Sequence, residues 1–125
     1  MLNCGFLLFV AGLDTVTSTM TFICRHLARN ERVRHELITM LDDRERLSSA
    51  VEELLRVHSV ANIYRRVQKD MVYRGITMKE NDRVVLPCSV ANRNESVFEH
   101  ADVIDLQREI NNHLTFGAGP HRCVG

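Results

Sequence analysis

Hydrophobic spacing divides the chain into a helical first half and a second half in which that spacing breaks down. Residues 2–28 form a long apolar run in which Asp14, Thr17, Thr21 and Arg25 recur as a polar stripe, so one long helix is predicted there. Asn30 is placed to cap a second helix, in which Val33, Leu37 and Leu41 recur every four residues opposite a charged face. Ser49 and Glu52 make a capping-box pattern, which predicts the start of a third helix carrying Glu53 and Arg56. The period then shortens. Met71-Val72-Tyr73, an Arg74-Gly75 turn and Ile76-Thr77-Met78 read as a small hairpin, followed by a strand from Arg83 to Leu86 that Pro87 ends. From about Asn92 to Leu114 there is little periodicity, and no internal repeat or flexible linker is evident.

Composition narrows the class. At 125 residues and 45% hydrophobic content the chain has the size of one ordinary domain and is not compositionally disordered. Sixteen basic and sixteen acidic residues cancel, which argues against a nucleic-acid surface. Cysteines at 4, 24, 88 and 123 show no Cys-x-x-Cys spacing and no compact zinc arrangement, so reduced thiols in a cytoplasmic setting are the simplest reading. The apolar opening lacks a basic leading region, and Asp14 with several threonines interrupts it too often for a membrane span.

Candidate chemistry concentrates at the other end, in Phe116-Gly117-Ala118-Gly119-Pro120-His121-Arg122-Cys123-Val124-Gly125. A cysteine ligates as its thiolate, and neighbouring positive charge and accessible backbone amides stabilise that anion. Glycines let the backbone approach a large flat ligand closely. The segment resembles the haem-binding loop of the cytochrome P-450 family, Phe-x-x-Gly-x-x-x-Cys-x-Gly, matched at Phe116, Gly119, Cys123 and Gly125 with Gly117 inside the same loop. The resemblance implies haem b as cofactor, Cys123 as the proximal iron ligand, and Phe116 as a shield for its sulfur.

Further stretches resemble the family in the same order. Glu53 and Arg56, three apart and so on one helix face, look like its Glu-x-x-Arg pair, with Arg108 as the second arginine of a buried structural triad. On spacing alone, the same pair reads as an exposed helix decoration. Ala11-Gly12-Leu13-Asp14-Thr15 resembles the oxygen-binding stretch, implying that Thr15 hydrogen-bonds dioxygen while Asp14 relays protons. Thr15 could bond the carbonyl of Ala11 or Gly12, and a widened helical turn is expected there. Arg65 and His121 match cations that hold the haem propionates, the choice of Arg65 over Arg66 resting on alignment. Val10, Ala11, Val60, Ala61, Asn62 and Ile63 are the candidates to line a pocket for a small apolar substrate, with ordinary core packing as the competing reading.

The implied fold is mainly α with a small β portion, the C-terminal part of the P-450 fold, as one partial domain over residues 1–125 that is incomplete at both ends. The implied activity is haem-dependent insertion of one atom of dioxygen into an apolar organic substrate. Electrons would come from NAD(P)H through a reductase and an iron–sulfur ferredoxin, as in soluble bacterial members, with Arg122 near the docking face. Two alternatives stand beside it: a haem-thiolate peroxygenase or isomerase, and a partial chain with no haem chemistry of its own.

Overall fold

The computed structural model describes residues 2–124, and the side chains of residues 2–4, 7 and 10 lie outside that description. Helices come first: α1 (Leu2–Arg29), α2 (Glu31–Ile38) and α3 (Arg44–Val57). Strands β1 (Asn62–Arg66), β2 (Met71–Tyr73), β3 (Ile76–Met78) and β4 (Arg83–Pro87) follow, then the short α4 (Cys88–Ala91) and a 3₁₀ turn at Gly119–His121. Between α4 and that turn the chain is irregular, a meander held by turns.

Helix boundaries and caps differ from the sequence expectation in three places. α2 ends at Ile38, so Leu41, expected on its apolar face, falls in the turn beyond it and lies exposed. α3 starts at Arg44 rather than at the Ser49–Glu52 pattern, because Asp43 Oδ1 accepts the amides of Glu45 at 3.2 Å and Arg46 at 3.1 Å. An aspartate in extended backbone satisfies orphan donors wherever good helix formers follow, so the earlier cap prevails and Ser49 falls mid-helix. Asn30 occupies the cap position of α2, but its side chain accepts nothing there. Its Nδ2 instead donates to His26 O at 2.8 Å, closing the end of α1.

The β portion is two separate two-stranded sheets, where one small hairpin and a further strand were expected. β1 pairs antiparallel with β4, Ile63 facing Leu86 and Arg65 facing Val84. β2 pairs with β3 as the predicted hairpin, and its turn places Arg74 at φ 49° and Gly75 at φ 82°. Two consecutive left-handed residues twist in the sense the strands need, which a glycine at the second position permits.

The core lies among α2, α3 and the meander: Val33, Met40, Ala50, Leu54, Val57, Ile104 and Leu106, with Ile23 and Leu27 from the second half of α1 packed against it. At the joint between α1 and α3 the rings of His26 and His58 meet edge-to-face at 5.0 Å. Burial pushes His26 down, and burial backed by the His26 ring and the Arg93 charge pushes His58 down to about 4. The first half of α1 is exposed, Phe6, Leu8, Phe9 and Leu13 all lying open. Among the described residues no helix is long and apolar enough to cross a membrane.

Candidate functional site

Glu53 and Arg56 leave one face of α3, and both are fully buried. Arg56 Nε donates to Glu53 Oε2 and Nη2 to Oε1, each at 2.8 Å, a fork-on-fork pair. Its remaining donors reach the meander: Nη1 to Asn92 O at 2.6 Å and Ala101 O at 2.8 Å, Nη2 also to Val103 O at 3.3 Å. Arg108 Nε donates to Glu53 Oε2 at 3.1 Å from the far end of the meander. Burial by itself would raise the Glu53 carboxyl; the Arg56 hydrogen bonds, the Asp105 amide at 3.1 Å and the two arginine charges outweigh it and hold the group below the usual carboxylate range. Spacing alone allowed an exposed helix decoration; the structure instead places the pair at zero exposure.

Sequence reasoning missed the residues that complete this network. Asn92, fully buried at the end of α4, donates Nδ2 to Arg56 O at 3.2 Å. Asn111 Nδ2 donates to Glu53 Oε2 at 3.0 Å, and the Phe98 ring lies 5.0 Å under the Arg56 guanidinium and 6.0 Å from that of Arg108. Asn92 entered the sequence reading only as the start of the irregular stretch, and no local pattern marked it as a partner of Arg56.

The cysteine loop follows directly. Gly117 at φ 71° and Gly119 at φ 74° sit in left-handed backbone that side-chain-bearing residues avoid. A Cβ on Gly117 would stand 3.3 Å from Ile63 Cδ1, so the loop passes tightly over β1; a Cβ on Gly119 would meet nothing within 4 Å. The Cys123 amide donates to Phe116 O at 2.8 Å, which folds the loop back on itself and leaves Cys123 exposed. Ile63 and Arg65 leave the same side of β1, two residues apart, and Arg66 leaves the other. The exposed Arg65 points from the strand face that the loop crosses, with Nη1 bonded to Tyr64 O at 2.9 Å, and His121 is exposed in the 3₁₀ turn.

Residues 1–125 match the family model described as Cytochrome P450. The chain belongs to the cytochrome P450 family. It is 43% identical over 121 residues to a probable cytochrome P450 127A1 of Sinorhizobium fredii, an alignment covering 97% of this chain and 28% of that protein. It is 34% identical over 126 residues to the 20-oxo-5-O-mycaminosyltylactone 23-monooxygenase of Streptomyces fradiae, covering 100% of this chain and 29% of the relative. The solved structure of the bacillaene polyketide synthase cytochrome P450 PksS of Bacillus subtilis superposes with a TM-score of 0.85 at 32% identity, over 94% of this chain and 30% of that one. The chain thus spans less than a third of the length of these relatives. Its fold, mainly helical with a small β portion, is the P450 fold over this stretch.

The family implies a haem iron with a cysteine thiolate ligand, and the residues present fit that group. A thiol-bearing residue stands exposed on a loop pinned at its base, open space lies beside Gly119, the loop itself holds the exposed His121, and the strand it crosses carries the exposed Arg65. On the helix side, Thr15 Oγ1 donates to Ala11 O at 2.6 Å, while α1 stays regular from Leu2 to Arg29. The widened turn expected at Thr15 is therefore absent: a carbonyl has two lone pairs, so the hydroxyl adds a bond without displacing the helical one. Asp14 and Ala11 are exposed, Thr15 half-buried. Of the candidate pocket residues, Val60, Ala61 and Ile63 are half-buried and Asn62 is exposed. Gly125 and the Val10 side chain lie outside the described residues.

Proposed function

We propose that this chain supplies the cysteine-bearing side of a haem-dependent monooxygenase that inserts one atom of dioxygen into a small apolar organic substrate. The observation that carries the reading is Cys123, exposed at the end of a loop that is folded back onto Phe116 O and whose entry is hydrogen-bonded to the helix carrying the buried Glu53–Arg56 pair. Haem b, when bound, supplies the one-electron and oxygen chemistry that side chains lack.

Within that reading each residue has a limited task. Cys123 offers a thiolate, and Phe116 covers it from solvent and oxidants. Arg65 and His121 pair with the propionate carboxylates, Arg65 through the guanidinium donors that its Nη1 bond to Tyr64 O leaves over. Thr15, near the middle of α1, offers a hydroxyl to dioxygen, and the exposed Asp14 passes protons inward from water. Electrons arrive from NAD(P)H through a reductase and an iron–sulfur ferredoxin in the cytoplasm. Turnover belongs to a protein of the relatives' length, and this chain by itself is inactive, because the apolar first half of α1 is uncovered here.

The test is the reduced, carbon-monoxide-bound absorption spectrum of the chain reconstituted with haem, beside Cys123→Ser. A red-shifted band typical of thiolate ligation that disappears in the variant is expected. A band that persists in the variant, or no band in either protein, overturns Cys123 as the ligand.

A further inference from the structure

Three polar residues lie between the buried carboxylate network and the cysteine loop. Asn92 Oδ1 accepts the Leu114 amide at 2.7 Å, and its Nδ2 also donates to Thr115 Oγ1 at 3.0 Å. The Thr115 hydroxyl donates in turn to Leu55 O at 2.9 Å, so the loop's entry is tied to α3 by uncharged bonds once directly and once through Asn92, whose Nδ2 reaches Arg56 O. The third residue, His113, has a side chain only 5% exposed, and its Nε2 lies 2.8 Å from Glu52 Oε2 on α3. The Thr115 backbone amide points at His113 Nδ1 at 3.3 Å. A backbone N–H can only donate, so Nδ1 is the acceptor and the ring proton sits on Nε2, where the Glu52 carboxylate receives it. The same ring lies 6.0 Å from that of Phe116, centroid to centroid, tilted by 47°.

We propose that His113 is a positioning residue for the cysteine loop: its Nε2–H tautomer ties the loop's entry to Glu52 of α3 and sets Phe116, whose carbonyl holds the Cys123 amide. Its functional meaning rests on the reading of Cys123 as the iron ligand; the clamp itself does not. Of the ties described at the loop's entry, only the one to Glu52 ends on a charged group, and charge-assisted hydrogen bonds are roughly twice as strong as neutral ones. The arrangement also assigns the two imidazole nitrogens unequal weight, the short bond to carboxylate outweighing the long one from the Thr115 amide.

Hydrogen exchange of the haem-free chain tests the clamp, with His113→Gln keeping a side-chain N–H where Nε2 stood and His113→Asn too short to reach Glu52. Amides of residues 114–119 and 121–123, Cys123 included, are expected to exchange about tenfold faster or more in His113→Asn, and within about threefold of wild type in His113→Gln. Exchange of Leu54 and Val57 in α3 monitors the core. Should it accelerate with the loop, the decision passes to Glu52→Ala, which removes the partner at a half-exposed position and is expected to give the same loop acceleration with α3 still protected. Equal exchange in the Asn and Gln variants, or a Glu52→Ala loop indistinguishable from wild type, overturns the proposal. With haem and carbon monoxide, His113→Asn is expected to lose the thiolate band at least about threefold relative to His113→Gln. A wild-type chain that never gives the band counts against the ligand reading, and the exchange result still decides the clamp.

Discussion

The block formed by α3 and the meander and the first half of α1 are built from similar residue types and reach opposite ends. In the block, Leu54, Val57, Ile104 and Leu106 are buried, and even the charges of Glu53 and Arg56 are fully out of water. Along α1, Phe6, Leu8, Phe9, Leu13 and Val16 stand more than half exposed. Both have helical amphipathic material, but only the block has a second layer within this chain to cover it. The cysteine side of the fold therefore carries its own support, whereas the side bearing Asp14 and Thr15 presents a helix surface whose apolar area has no cover among the described residues.

The harshest way to break the contrast is Glu53→Ala. It leaves Arg56 buried with its charge uncompensated, at an expected cost of about 3–5 kcal/mol, read as a lowered urea midpoint. Because the folded carboxyl lies below its ordinary value of 4.5, the Glu53 contribution is complete above that pH and is lost as pH falls through the lowered value. The variant should lack that acid slope. A variant as stable as the parent would mean that the block is not held by its charge network.

The joint between the two regions gives the next effect. His58 is neutral in the fold down to about pH 4, while an unfolded histidine takes up its proton near 6.5. Over that window the unfolded chain binds more protons, so stability should fall as pH drops from 6.5 towards 4, by less than the full ~1.4 kcal/mol per unit of pKa difference because the ring is only half-buried and solvent screens it. In His58→Gln the slope over this window should become shallower, with the smaller share of the half-buried His26 remaining and the Glu53 slope unchanged at lower pH. Urea midpoints taken across both windows separate the two; an unchanged slope in His58→Gln would place the titration elsewhere.

The smallest effect sharpens the contrast from the exposed side. Leu13→Ala, at a residue 52% exposed, should shift the stability of this chain by no more than about 0.5 kcal/mol. The same truncation at Leu54, 2% exposed, should cost about 2–5 kcal/mol. Comparable losses from both would show that the first half of α1 is covered in solution.

Much of the architecture was legible because it depends on neighbours in sequence. The long helix, the hairpin turned at Arg74-Gly75, the strand ended at Pro87 and the irregular stretch from Asn92 all follow from local spacing and turn chemistry. The cap of α3 was misplaced by six residues, Ser49 for Asp43, because two valid capping signals compete, and only the one that donors reach first takes effect. Of the candidate site, the cysteine loop and the Glu53–Arg56 pair could be picked out as short motifs. Asn92, Phe98, Asn111 and His113 could not. Asn92 meets Arg56 across 36 residues and His113 meets Glu52 across 61, and no local pattern records which turn of an irregular segment will face a given helix.

By itself, then, the sequence determined the family, the order of the three long helices and the hairpin after them, and the one loop in which a cysteine lies among glycines, since each is written in contiguous residue types and short spacings. Tertiary structure decided that an i,i+3 ion pair would be a buried anchor instead of a surface decoration, and that the cysteine loop would hang from α3 through His113 and Asn92. The physical reason is desolvation: a charge or amide in water is nearly indifferent to its partner, and once the meander closes over α3 each buried donor must find an acceptor, so burial selects the pairings that spacing leaves open.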